Sequence, residues 1–360
     1  MDTGCKKDAM VLPEEVPADT VIVPWQKVQR VNLNWQYIRN AYVTGDSLFL
    51  YGQENFMIYR PQSDALTAFF SPYWSASVTN PVLSMNPAMR SSFIIDWYES
   101  GMGIRTTRSP VSGQTSKFIN LEAVDSTLQC PWWIVPGMSF ELPCVSENNN
   151  VFAPMYSDSG YPAAFMFEAR VNYLWSDYYA DTAHFRRVDF IAPGFEGMNL
   201  GGVWSFNDKF FVNVGSYFSQ NHYTVCVEPD GTWTFTGIPD PCQFYDIVQT
   251  NDSLIAICGI TPSIYISTDG GSVWTPRFYV PGSWLGLDYF VLDGGTYAFS
   301  NDMIYRMTIS QNDVRLTELN NLGLEGNLIT DVVNFEESVY VTTLSGLFVK
   351  PLSSFNAEHP

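Results

Sequence analysis

The chain has 360 residues, with 37 acidic against 18 basic side chains and a formal net charge of −19. Such a surface repels phosphate backbones and anionic lipid, so nucleic-acid binding and direct electrostatic attachment to a membrane are excluded as expectations. Aromatic residues make up 16% and charged residues only 15%, which points to a large packed core with flat side chains left over for ligands.

The chain opens with Thr3, Gly4, Cys5, Lys6, Lys7 and Asp8, small residues leading into a cysteine. This start resembles the processing site and first mature residues of a bacterial lipoprotein of the Bacteroides group. The resemblance implies lipidation of Cys5 and a place on the outer membrane, at the cell surface, with membrane contact only through the lipid. Residues 8–19 are rich in Pro, Glu and Asp and read as an extended tether, so residues 1–20 are set apart from a single domain over 21–360.

From residue 45 onward one order of parts recurs: a polar turn, an apolar β-rich run, then often a second run ending in Ile-Tyr. It is clearest in 45–60, 251–267 and 294–307, where Ile58-Tyr59, Ile264-Tyr265 and Ile304-Tyr305 hold the same place. Weaker copies begin near Ser92, Val151, Asn207 and Glu337. With Asp46, Asp96, Val151, Asp208, Asp252, Gly294 and Glu337 as landmarks, the steps are about 50, 55, 57, 44, 42 and 43 residues. That period brackets a four-stranded blade, and seven units account for nearly the whole chain. Runs such as Phe210 to Val214 and Leu254 to Cys258 are β-branched and aromatic and are bounded by turn residues, and breakers leave no long helical window.

Ile266 to Trp274 reads ISTDGGSVW, with Ser267, Asp269, Gly271 and Trp274 at fixed spacing. Asp and Ser side chains bond the backbone of tight turns, glycine supplies positive φ, and tryptophan anchors the turn on a core. The segment resembles the Asp-box, or BNR repeat, of β-propellers. The resemblance implies an all-β propeller of seven four-stranded blades, in which Asp269 is a turn residue rather than a catalyst. A ring must close, and Thr20 to Val23 or Val28 to Leu33 are the candidate N-terminal strands beside the blade at 332–350. The competing folds are a pair of β-sandwiches or a six-bladed ring with one long insertion.

Cys130 with Cys144, and Cys226 with Cys242, flank loops that a disulfide can close, whereas Cys258 lies in an apolar strand and reads as a buried free thiol. His184, His222 and His359 lie far from any cysteine, so no metal site is expected, nor any cofactor. Sialidases share the Asp-box fold, but no arginine here is followed by Ile-Pro, the early motif of that family. No nucleophile elbow, phosphate loop or zinc helix is present either. Two-carboxylate glycoside hydrolysis needs only two suitably spaced acids, for which Asp96, Glu99, Asp177, Asp181 and Asp288 are the candidates beside aromatics.

Binding is the better supported expectation. Trp132, Trp133, Trp175, Tyr178, Tyr179 and Trp284 sit in loop-like aromatic clusters, and such rings stack on sugars or anchor protein interfaces. Adjacent residues of a strand point to opposite faces, so Trp132-Trp133 and Tyr178-Tyr179 cannot both enter one core. The sequence therefore reads as a non-catalytic surface propeller, a binding or accessory subunit of an outer-membrane complex. The alternative is a glycan-binding protein or glycoside hydrolase, and the partner is a surface protein or a polysaccharide.

Overall fold

The structure is a computed structural model that describes residues 22–31, 38–52, 55–70, 82–86, 91–98, 101–106, 116–119, 126–129, 144–146, 150–157, 159–172, 177–180, 185–215, 222–236, 238, 243–259 and 261–358. Among these residues the strands form seven antiparallel sheets, six of them four-stranded. Blade 1 spans 38–70, blade 2 82–119, blade 3 128–189, blade 4 199–235, blade 5 244–279, blade 6 288–318 and blade 7 329–351. Innermost strands of blades 2 to 7 touch in succession, and that of blade 7 touches that of blade 1. The sheets thus stand radially round a ring, and the chain has the β-propeller fold.

Each apolar core lies between two blades rather than within one. Val212 and Val225 of blade 4 pack with Phe152 and Met166 of blade 3, and Phe244 and Trp274 of blade 5 pack with Phe211 of blade 4. The recurring Ile-Tyr pairs explain themselves in this frame, since all three lie on third strands. Ile264 enters the core shared with blade 6 while Tyr265 enters the core shared with blade 4, because successive strand residues face opposite ways. Second strands are covered on both sides, and Leu254–Cys258 is buried throughout.

Polar clasps join neighbouring blades near the axis. In blades 5 and 7 the innermost strand carries a register shift just before an aspartate, Asp246 and Asp331. Asp246 accepts from Trp204 Nε1–H of blade 4 at 3.1 Å, from its neighbour Ile247 N–H at 2.8 Å and from Tyr289 N–H of blade 6 at 3.0 Å. Asp331 accepts from Val332 N–H and from Ala41 N–H of blade 1, each at 2.8 Å, while the Thr330 hydroxyl donates to the Ile38 carbonyl at 2.6 Å. These last bonds tie residues nearly 300 positions apart, as a closed ring requires.

An N-terminal strand completes blade 7, but neither expected segment supplies it. The strand is Gln26–Lys27, paired with Val349 and Phe348. Pro24 has no N–H to extend it backward, and after Val28 donates to the Leu347 carbonyl the chain turns into a 3-10 helix at Gln29–Val31. Trp25, 4% exposed, seats this strand: its ring meets Phe355 edge-on at 6.1 Å, and its backbone N–H donates to the Leu322 carbonyl at 2.8 Å. Lys350 is 1% exposed, lies 5.5 Å from the Trp25 ring and donates to the Asn320 carbonyl at 2.9 Å; burial lowers its pKa.

Blade 3 departs from the simple plan. Its innermost strand is split into Leu128–Gln129 and Cys144–Val145, both paired with Asn150–Ser157. Its third strand, Pro162–Asn172, overruns the blade and carries Asp177–Ala180 beside its far end.

The seating of the closing strand yields a direct expectation. Trp25→Ala removes a buried indole that only long-range packing holds, and urea unfolding should show a loss of about 3–5 kcal/mol. An unchanged midpoint would mean that the N-terminal strand does not contribute to the folded ring.

Candidate binding face

Chain direction divides the ring into two faces. Each innermost strand begins at one face, called upper, so second-to-third turns and blade-to-blade connections lie there, while first-to-second and third-to-fourth turns lie on the lower face. Of the nine exposed large apolar side chains among the described residues, eight lie at the upper end. Phe235 and Tyr279 end the outermost strands of blades 4 and 5, Tyr245 begins the innermost strand of blade 5, and Leu344 tips the second turn of blade 7. Ile191, Leu322 and Leu328 belong to connections between blades, and Ile22 precedes the closing strand beside Leu322. Val273 alone is on the lower face, and Tyr279 is 84% exposed.

Aromatic packing supports part of this surface from below. Phe195, Tyr223, Trp233 and Phe235 form a ring cluster along the outer strands of blade 4 beside its connection from blade 3, with centroid distances of 5.2 to 6.0 Å. Trp233 Nε1–H donates to the Asp189 carbonyl, which ties this cluster to blade 3. Between blades 6 and 7 a cavity of about 260 Å³ opens on the same face, with Ile22, Leu322, Asp302, Glu318, Glu325 and Asn321 among its walls.

The Ser267 to Trp274 turn lies on the lower face of blade 5. Ser267 Oγ–H donates to Asp269 Oδ1 at 2.7 Å and accepts from Gly271 N–H at 2.8 Å. Asp269 Oδ1 also accepts from Ser272 N–H and Val273 N–H at 3.1 and 2.9 Å. Trp274, 2% exposed, donates to the Gly271 carbonyl and packs on Phe244 and Phe211. Gly271 has φ +90°, and a Cβ there would lie 2.2 Å from Phe211 Cζ, so any other residue is strained there and must displace the Phe211 ring. The Asp269 carboxylate is consumed by its own turn.

The other residues singled out in the sequence fare differently. Trp132, Trp133 and Trp175 lie outside the described residues; the stretch holding the first two joins the halves of the split innermost strand of blade 3. Tyr178 and Tyr179 lie on Asp177–Ala180, paired with Val171 and Arg170 at the lower end of blade 3. Trp284 is not an exposed platform: it is 9% exposed in the blade 5–6 core, and its carbonyl accepts from the Tyr289 hydroxyl.

Cys258 is disulfide-bonded rather than a free thiol, and its partner lies outside the described residues, as do Cys5, Cys130 and Cys242. Cys226, expected to pair with Cys242, is instead a buried free thiol in the core between blades 4 and 5, and burial pushes its pKa up to about 11. Cys144 is half-buried on the split strand. Of the candidate acids, only the side chain of Asp288 is described. It opens the innermost strand of blade 6, exposed to water yet walled by the ring, and the lost hydration raises its pKa.

Sequence reasoning missed Tyr245, Tyr279, Phe235 and Leu322 because each looks like an ordinary strand or loop residue. The available signal was parity: once strands are counted outward from the axis, strand starts and ends fall on known faces.

No protein-family model matches the chain, and no curated protein matches it. Solved structures do. YCF48 bound to a D1 peptide is similar over 91% of this chain and 97% of its own, at 10% identity and TM-score 0.55. The extracellular domain of the putative one component system BT4673 from B. thetaiotaomicron is similar over 91% of this chain, at 8% identity and TM-score 0.51; the chain spans 40% of its length. PorZ, a surface component of the type-IX secretion system of Porphyromonas gingivalis, matches over 93% of this chain at 11% identity and TM-score 0.49, and the chain spans 39% of it. At these identities the likeness is one of fold.

Two carboxylates should respond oppositely to pH. Bonds from Val273 N–H and the Ser267 hydroxyl hold Asp269 below its ordinary pKa, so its stabilisation is present above about pH 3.9 and is lost as pH falls through the folded value. Asp288 is raised, so its ionisation opposes folding once pH rises above the ordinary aspartate range. Asp269→Asn should therefore lower the thermal midpoint at pH 7, and Asp288→Asn should raise it. Both differences should shrink toward pH 3, and a pH-independent offset in either variant would contradict the assignment. Alkylation at pH 8 followed by peptide mapping should leave Cys226 unmodified in the folded protein and modify it after unfolding; labelling of the native thiol would show that the core between blades 4 and 5 is open.

Proposed function

We propose that the protein is a non-catalytic binding or accessory subunit of an outer-membrane protein complex, held at the bacterial cell surface through Cys5. The observation that carries this reading is the concentration of eight exposed apolar side chains at the upper end of the ring. Large apolar side chains exposed together on one side of a ring supply the kind of contacts that protein interfaces cover. YCF48 is a propeller of this fold solved with a peptide bound, which supports peptide recognition as a use of such a ring.

The tether suits the same geometry. Residues 5 to 22 span at most roughly 60 Å when extended, and Ile22 joins the ring at the upper face, beside the apolar surface. A lipid on Cys5 keeps that face within reach of proteins in the membrane. The Ser267 to Trp274 turn is read as an Asp-box, with Ser267, Asp269, Gly271 and Trp274 in structural roles. Trp132, Trp133, Trp175, Tyr178 and Tyr179 are retained as candidate partner contacts, with Tyr178 and Tyr179 on the strand at the lower end of blade 3.

Detergent pull-down of the tagged native protein tests the reading. A stoichiometric membrane protein should be recovered with the unaltered chain and with Val273→Ser on the lower face, and should be depleted at least tenfold with Phe235→Ser combined with Tyr279→Ser. A protein that comes down alone and is retarded on polysaccharide affinity gels would overturn it. Metabolic labelling with a fatty acid should mark the native chain and not Cys5→Ser.

A further inference from the structure

We propose that the upper corner between blades 6 and 7 docks a polypeptide segment of a partner protein that presents a lysine or arginine between aliphatic side chains. This rests on the accessory-subunit reading and names the place and the chemistry of the contact. Four of the eight exposed upper-face side chains, Ile22, Leu322, Leu328 and Leu344, belong to this corner, each about half exposed. Ile22 and Leu322 wall the cavity, while Leu344 N–H donates to the Leu328 carbonyl, so those two residues are side by side.

Three carboxylates, Asp302, Glu318 and Glu325, share that cavity, and none belongs to an ion pair among the described residues. Two are held in place: Asp302 Oδ2 accepts from Gly326 N–H and Glu325 Oε2 from Gly323 N–H, each at 2.7 Å. The wall beneath is fixed too. Asn321 Oδ1 accepts from Ile304 N–H at 3.1 Å, and its amide donates to the Leu319 carbonyl at 2.8 Å. A cationic side chain entering from solvent meets with its head negative charge that no ion pair among the described residues neutralises, and with its stem aliphatic surface, the division that lysine and arginine make naturally.

Other occupants fit less well. A polysaccharide needs flat rings to stack on, and the exposed apolar side chains of this corner are aliphatic. An anionic bilayer is repelled by the three acids. A second copy would bring another chain of net charge −19 against the same corner. At about 260 Å³ the cavity takes one or two side chains, not a drug-sized ligand.

The test uses the full chain and fluorescein-labelled decapeptides alternating leucine with lysine, leucine with glutamate, or serine with lysine, read by anisotropy. The leucine-lysine peptide should bind at least tenfold more tightly than either control. Asp302→Asn, Glu318→Gln and Glu325→Gln together, which keep the shape and an acceptor oxygen, should weaken it tenfold, and so should Leu322→Ser with Leu344→Ser. Asp252→Asn, Glu336→Gln and Glu337→Gln on the lower face remove equal charge and should leave binding unchanged; matching circular dichroism and thermal midpoints show that each variant is folded. Equal loss in the lower-face variant, or equal binding of the leucine-glutamate peptide, would overturn the assignment. The two readings fail separately: a membrane partner recovered equally well by the acid-neutralised variant sinks this corner and leaves the accessory role, whereas a peptide site without any recovered partner sinks the role.

Discussion

The ring stands or falls with one constraint: its last sheet must not end in an open edge. Gly346–Pro351 would offer a row of unpaired backbone groups, and Gln26–Lys27 covers it with a strand of two residues. So short a strand cannot hold itself in place. Its hold comes from the buried indole of Trp25 on one side and Val28 and Val31, packed in the core between blades 7 and 1, on the other. Near the axis the same seam is locked by Asp331, whose carboxylate takes the place of a strand in satisfying Ala41. Closure is thus a joint product of one edge strand, two apolar anchors and one carboxylate, drawn from opposite ends of the chain.

A physical asymmetry then separates the two faces. Turns between first and second strands use left-handed residues, Asn207 and Asp208, Asp293 and Gly294, and Glu336, as tight hairpins demand. Those positions are filled by turn chemistry and have no room for apolar side chains. Upper-face connections such as 190–198, 280–287 and 319–328 are longer and meet their left-handed positions with glycines (Gly194, Gly197, Gly323 and Gly326), so their other positions are where side chains can be selected for contact. The exposed apolar surface and the acidic cavity both fall there, and Asp269 and Val273 fall opposite.

Much of the fold was legible because turn chemistry repeats. Asp46, Asp208, Asp252, Gly294 and Glu337 all mark the turn between first and second strands, and the Ile-Tyr pairs all lie on third strands. Asp96 and Val151 slipped into second strands, Val151 because the split innermost strand of blade 3 blurs the pattern there. The site was less legible. Trp284 looked like a loop aromatic but fills a core between blades, and Cys258, apolar in its surroundings, is bonded while Cys226 is not. Which side chains face solvent at one end of a ring depends on partners two strands and one blade away, and local pattern carries none of that.

The most direct measurement of the account is a cross-link across the closing seam. Gln26 and Val349 are register partners, within the separation an antiparallel pair offers a disulfide. In a chain bearing Gln26→Cys and Val349→Cys, mild oxidation should join these two positions within one molecule, as read by peptide mapping, and raise the unfolding midpoint. Failure of that bond to form, or its formation only between molecules, would contradict a ring closed by its own N-terminal strand.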